Sequence, residues 1–269
     1  MRNKIKKADR IVIKVGTSSL TYGNGKVNIG SIEKLARKLA DLSNMGREII
    51  LVTSGAVGIG MGKLNIEKRP AEVTERQAIA AVGQTELMHL YSRLFSEYGV
   101  TVGQILLTRD VFAHGTSKVN AQNTFESLLK KKIIPIVNEN DSVSTEELEF
   151  DENSTFSEND MLAALVSVLT GADLLIILSD QDGFYTGDPR KDNTAVILES
   201  VTDINGEIQR FAGGNGTAYG TGGMITKLNA AKVCMENNVS VVIANGSNMD
   251  NIEGIIKGEK IGTLFVGKV

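Results

Sequence analysis

Residues suited to phosphate and amino-acid chemistry recur directly after short aliphatic runs of this chain. The first run, IVIKV, carries Lys14 near its end and is followed by Gly16. A lysine in a buried run needs an anionic partner. A phosphate supplies one, and Gly16 lets backbone N–H groups approach it. A surface lysine on an edge strand is the even alternative. The second run, IILVT, opens into Ser54-Gly55-Ala56-Val57-Gly58-Ile59-Gly60. A helix beginning there offers free N–H groups and a positive dipole to an anion, although a lone Gly-rich turn also serves plain helix–sheet packing. It is not a nucleotide-triphosphatase loop, since Val57 stands where the first glycine of G-x-x-x-x-G-K-[ST] belongs and Leu64 where Ser or Thr belongs. Nor does Ser54 sit in a G-x-S-x-G elbow.

The run IIPIV leads into Asn138-Glu139-Asn140-Asp141-Ser142. Asp141 suits a substrate ammonium, while Asn138 and Asn140 suit the orientation of a carboxylate. From Asn138 to Asp160 the chain carries nine acidic residues and no lysine or arginine. The spacing lacks the pattern of a calcium loop, so no metal ligands are assigned there. The stretch closes on Ser157-Glu158-Asn159-Asp160 before the apolar MLAALVSVLT, where capping by Asn or Asp competes with a role in a site. After LLIIL come Ser179 and Asp180, at a strand end suited to touch a nucleotide. Last, Thr221-Gly222-Gly223-Met224-Ile225-Thr226-Lys227 makes a second Gly-rich helix start, with Lys227 as a point charge for phosphate.

The elements that must position these groups follow from the pattern. Strands are expected at 10–15, 48–53, 100–107, 133–137, 173–179 and 240–244, with a last short one near 263–266. Helices are expected at 29–45, 71–98, 120–131, 159–170 and 224–237. The strands are continuous apolar runs rather than alternating ones, the mark of parallel strands buried on both faces. The fold class is therefore α/β, a three-layer αβα sandwich with a mostly parallel central sheet. In such sheets ligands bind beyond the carboxyl ends of the strands, where all of these motifs lie. Residues 197–220 are polar and Gly-rich and read as a mobile loop. No domain linker or short repeat is evident, so residues 1–269 are expected to form one domain.

Composition narrows the function. The 269 residues carry a net charge of -3, which gives no basic face for nucleic acid. One cysteine, Cys234, excludes an intramolecular disulfide, and two histidines, His89 and His114, disfavour a His-rich zinc site. The basic N-terminus is followed by no apolar signal-peptide region. The longest aliphatic run is too short for a membrane span, so a cytoplasmic location is expected.

Taken in order, IKVGTSSL, LVTSGAVGIG, IVNENDSV, ENDMLAALV, LSDQDGFYTGDPR and GTGGMITK resemble the glutamate 5-kinases of the amino acid kinase family. The resemblance spans essentially the whole chain. It implies phosphorylation of the L-glutamate side-chain carboxylate by ATP and Mg²⁺ to L-glutamyl 5-phosphate, the first step of proline synthesis. By this likeness Lys14 and Lys227 bind phosphates and Asp160 orients them. Ser54, Gly55, Asn138, Asp141 and Asn159 contact glutamate. Gly16, Ser179, Asp180 and the segment 221–227 lie at ATP. Residues up to about 170 bind substrate and the remainder binds nucleotide. Proline inhibition and a homodimer or homotetramer are also implied. This sequence departs from the Gly-Asp-Asn-Asp form at Ser157 and Glu158, has Ser179 for a common threonine, and ends where many members continue into a PUA domain. The competing readings are a kinase for another small acid, such as N-acetylglutamate, and a non-catalytic glutamate or proline sensor.

Overall fold

The computed structural model of the protein describes residues 2–22, 26–113, 115–143, 158–213 and 222–267. The chain divides into two compact units. One is Val15–Asp151, and the other joins Met1–Lys14 to Glu152–Val269.

In the unit Val15–Asp151, strands β2 (Glu48–Val52), β3 (Val102–Leu107) and β4 (Ile134–Glu139) run in the order β3-β4-β2 and pair parallel. All six residues of β4 are buried. Strand β4 thus extends two residues past the apolar run and carries Asn138 and Glu139 inside the sheet. Its helices include Ile29–Asn44, Ala56–Leu64, Val73–Ser96 and Gly115–Lys130. The first starts because the Asn28 side chain accepts a hydrogen bond from the Ser31 amide. It buries Ile32, Leu35, Ala36, Leu39 and Ala40, the stripe spacing of one helix face.

Helix Ala56–Leu64 packs on Val73–Ser96 so closely that glycines are required at the contact. A Cβ on Gly83 would stand 1.8 Å from the Ala56 carbonyl oxygen, and one on Gly60 would stand 2.1 Å from that of Ile79. Both obstacles are backbone, so no side chain can turn aside. Gly83→Ala is therefore expected to cost about 3 kcal/mol, the upper end of overpacking penalties. Gly115→Ala, which meets nothing within 4 Å, should stay within about 0.5 kcal/mol. Urea midpoints check the pair, and equal midpoints would contradict the contact geometry.

In the other unit, β1 (Arg10–Val15), β5 (Leu174–Ser179), β7 (Ser240–Asn245), β8 (Thr263–Phe265) and β6 (Ser200–Val201) follow in that order. Strands β5 and β7 pair parallel, as do β6 and β8, while β7 and β8 are antiparallel. Every residue of β5 is buried, as its unbroken apolar run requires. Each fully buried Leu or Ile contributes about 1.5–3 kcal/mol. Helices Glu158–Thr170, Gly206–Gly213, Gly222–Glu236 and Asp250–Ile256 complete this unit. The fold class is the α/β one expected from the sequence, with mostly parallel strands and helices on both sides.

The stretch 197–220, expected as a loop, is partly ordered structure. β6 lies within it, and its Val201 carbonyl accepts from the Val266 amide. Helix Gly206–Gly213 begins where Asn205 Oδ1 accepts from the amides of Glu207 and Ile208. Residues 214–220 lie outside the described residues. The helix expected at 120–131 also begins earlier, at Gly115, because its first turns are exposed and show no apolar period.

Candidate active site

The unit carrying β1 builds a buried charge cluster. Lys14 is the fifth residue of β1, whose apolar neighbours hold it in the sheet. It is 4 % exposed, which rules out the surface-lysine reading. Asp160 lies in the first turn of Glu158–Thr170 and is fully buried. That helix starts at Glu158, so Asn159 and Asp160 are helical residues rather than its caps. Lys227, 8 % exposed, comes from helix Gly222–Glu236. Lys14 Nζ stands 2.7 Å from Asp160 Oδ1, and Lys227 Nζ stands 3.1 Å from Oδ2. The Thr226 hydroxyl lies 3.1 Å from Oδ2 and 3.0 Å from the Gly223 carbonyl oxygen, which also accepts from Lys227 Nζ.

The electrostatics follow from this geometry. Burial pushes the Lys14 ammonium below its ordinary value, and Asp160 pulls it back up while Lys227 pushes it down. Burial pushes the Asp160 carboxyl up, but the two lysines outweigh that and hold it below the usual carboxylate range. Two lysines share one carboxylate, so with both protonated the cluster would carry one uncompensated positive charge. An arriving anion would balance it.

The other residues expected at the nucleotide lie on the following elements. Gly16 follows β1 and precedes the short helix Thr17–Leu20. Ser179 ends β5 and donates to Asp180 Oδ1 at 3.1 Å; Ser179 is buried and Asp180 exposed. Gly222, Gly223, Met224 and Ile225 form the first turn of Gly222–Glu236. Thr221 lies outside the described residues. Asn159 Oδ1 is buried with no hydrogen-bond partner among the described residues. Cys234 is buried core, its thiol pushed up to about 12 by burial, which makes it inert.

The unit Val15–Asp151 builds a second, polar cluster. Ser54 Oγ lies 3.1 Å from Thr17 Oγ1 and 3.3 Å from the Val15 carbonyl oxygen, to which it donates. Gly55 precedes helix Ala56–Leu64 with φ 98°, a left-handed conformation open to glycine. Behind it, Thr53 Oγ1 pairs with the Tyr91 hydroxyl at 2.9 Å. Burial pushes that phenol well above its ordinary value, so it stays neutral and hydrogen-bonded. Asn138, 2 % exposed, donates from Nδ2 to Gln84 Oε1 at 2.8 Å. Burial pushes the Asp141 carboxyl up to about 6, against the opposing pull of the Arg69 guanidinium. Asn140 is occupied locally, accepting from the Ser142 hydroxyl at 2.6 Å.

Gln84, Tyr91 and Thr17 escaped the sequence reading. For Gln84 a signal existed. It continues the buried stripe Ile79, Ala80, Gly83, Leu87 and Tyr91 of helix Val73–Ser96, and a glutamine on an apolar stripe needs a partner.

Residues 9–245 match the model of the amino acid kinase family. The chain is 53 % identical over 268 residues to a glutamate 5-kinase of Clostridium perfringens, covering 100 % of this chain and 99 % of that protein. It is 53 % identical to one of Listeria monocytogenes, covering 96 % of it, and 50 % identical over 266 residues to one of Enterococcus faecalis, covering 97 %. Among solved structures, UMP kinase from Ureaplasma parvum superposes with a TM-score of 0.63 at 16 % identity, over 96 % of this chain and 99 % of that one. An isopentenyl phosphate kinase gives 0.65 at 17 %, over 96 % and 100 %. At those identities the two structures speak to the fold alone. Matched along its whole length by close relatives, the chain belongs to the amino acid kinase family and, within it, to the glutamate 5-kinases.

Proposed function

We propose that this protein transfers the γ-phosphoryl group of ATP to the side-chain carboxylate of L-glutamate, giving L-glutamyl 5-phosphate and ADP at the first step of proline synthesis. The observation that carries the reading is the buried cluster of Lys14, Asp160 and Lys227 with its surplus positive charge. A carboxylate is already ionised at neutral pH and needs no general base. The obstacle is repulsion between that anion and the phosphates, and phosphoryl transfer is governed by positioning and charge neutralisation. A carboxylate oxygen forms the new bond to the γ-phosphorus as the bond to the bridging oxygen breaks, and ADP leaves with that electron pair. Lys14 and Lys227 neutralise the transferring group, and Asp160 holds both ammonium groups in place.

Among the described residues no three His, Cys, Asp or Glu side chains converge as a metal cage. A Mg²⁺ ion carried by the nucleotide would come to the phosphates beside Lys14 and Lys227. Such an ion supplies further charge neutralisation.

In this reading the N-terminal part to about residue 170 holds glutamate and the C-terminal part holds nucleotide. Gly16, Ser179, Asp180 and residues 221–227 line ATP. Ser54, Gly55, Asn138, Asp141 and Asn159 take the amino acid, with Asp141 on its ammonium. Proline, an amino acid with a similar head, acts as inhibitor, and the protein works as a cytoplasmic homodimer or homotetramer. No helix among the described residues is long and apolar enough to cross a membrane.

Asp141 separates glutamate from an N-acetylated acid, because only a free ammonium wants a carboxylate partner. With its carboxyl pushed up to about 6, Asp141 is ionised above that pH and neutral below it. The kcat/KM for glutamate should therefore fall about tenfold per pH unit below pH 6. In Asp141→Asn it should be low and nearly flat over the same range. Steady-state ADP release across pH checks both, and an unchanged profile in the variant would remove Asp141 from this role. The reading itself is tested by ADP release with glutamate, N-acetylglutamate, aspartate and bicarbonate with ammonia. Turnover with glutamate alone is expected, and turnover with another acid instead would overturn it.

A further inference from the structure

Gln84 and Asn138 form an incomplete amide pair in the unit Val15–Asp151. Gln84 is 9 % exposed and Asn138 2 %. Two primary amides can close a ring with two hydrogen bonds. Here only Asn138 Nδ2 to Gln84 Oε1 is made, at 2.8 Å. The complementary atoms, Asn138 Oδ1 and Gln84 Nε2, are buried and have no hydrogen-bond partner among the described residues. A buried polar atom left unsatisfied is costly, so a native structure that keeps one on each member of a hydrogen-bonded pair needs a reason.

The direction of the bond supplies one. By taking the Asn138 amide hydrogen, Gln84 fixes which end of that amide is left free, and the free end is an acceptor. An alkylammonium group has three donors and no acceptor. Asn138 lies three residues before Asp141, at the end of β4. Its free Oδ1 adds a neutral acceptor to the same segment that carries the carboxylate. If Gln84 were apolar, the Asn138 amide could rotate and present its NH₂ instead, which repels an ammonium.

We infer that Gln84 is a positioning residue for amino-acid recognition, holding the Asn138 carbonyl oxygen free to accept from the substrate ammonium. The inference rests on glutamate being the acceptor substrate. It adds a device that selects for the free amine without touching the reacting carboxylate.

The test compares the full-length parent with Gln84→Met and Gln84→Glu, using glutamate and its des-amino analogue glutarate as acceptors. Gln84→Met keeps the volume and removes the acceptor for Asn138 Nδ2. It should raise KM for glutamate about tenfold, the scale of one hydrogen bond to a charged group. Values of kcat, KM for ATP and kcat/KM for glutarate should change less than about threefold. Gln84→Glu keeps an oxygen facing Asn138 Nδ2 and should recover most of the glutamate KM. An equal loss for glutamate and glutarate in Gln84→Met would reduce Gln84 to packing and overturn the inference, as would an unchanged glutamate KM. A parent that does not turn over glutamate would overturn the proposed reaction first, an outcome distinct from a working parent with an indifferent Gln84.

Discussion

Asp160→Ala is expected to lower kcat by at least about a thousandfold and to destabilise the fold by about 3–5 kcal/mol, the cost of leaving buried charges without their partner. The reason is arithmetic on one site. Asp160 is fully buried, and its two oxygens meet Lys14 Nζ at 2.7 Å and Lys227 Nζ at 3.1 Å. Without it, two ammonium groups face each other in a dry interior with only neutral partners. One will lose its proton or swing away, and the geometry proposed to receive the phosphates is gone. Asp160→Asn keeps the shape but not the charge, so it should show the same sign with a smaller stability loss. Urea denaturation and kcat on the same preparations check this, and a variant within tenfold of the parent kcat would contradict the role. The pH sign is also fixed. A carboxyl held low in the folded state stabilises above its ordinary range near pH 4, and that contribution is lost as acid protonates it.

Lys14→Met and Lys227→Met should separate activity from stability. Each leaves Asp160 paired with the other lysine and with Thr226 at 3.1 Å, and each removes the surplus positive charge. Folding stability should therefore stay within about 1 kcal/mol of the parent or rise, as when buried ionic groups are replaced by apolar ones. The kcat should nonetheless fall by about a hundred- to a thousandfold, the usual loss for one preorganised donor to a developing charge. The KM for glutamate should move less than about threefold, because the proposed role of the lysines is on the phosphate side of the reaction. A kcat near the parent value in either variant would contradict the assignment. So would a stability loss as large as that of Asp160→Ala, since it would make the lysines structural.

The sequence made Lys14 and Lys227 visible because a lysine in an apolar strand and another in a Gly-rich helix start are both out of place unless something anionic is bound. It left Asp160 ambiguous, because an aspartate at the head of a helix is equally a cap. Only the helix boundary at Glu158 and the two lysine contacts resolve it. The mostly parallel, doubly covered sheet was legible from IVIKV, IILV and LLIIL, since strands buried on both faces do not alternate apolar and polar residues. Short β6 and helix Gly206–Gly213 were not, because a two-residue strand has no period and the helix, although it sets Ile208, Phe211 and Ala212 on one face, is only eight residues long in a polar, Gly-rich stretch. The partners of Gln84 and Tyr91 were hidden for a different reason. Asn138 and Thr53 are 54 and 38 residues away in sequence, and pairings at that range are made by the fold.

The most direct test of the account is to incubate the parent protein with Mg-ATP, glutamate and hydroxylamine and to measure hydroxamate together with ADP. Glutamyl 5-hydroxamate equal to the ADP released is expected in the parent, with both reduced at least about a thousandfold in Asp160→Ala. ADP without hydroxamate, or a hydroxamate yield indifferent to Asp160, would contradict phosphoryl transfer to the glutamate carboxylate at this cluster.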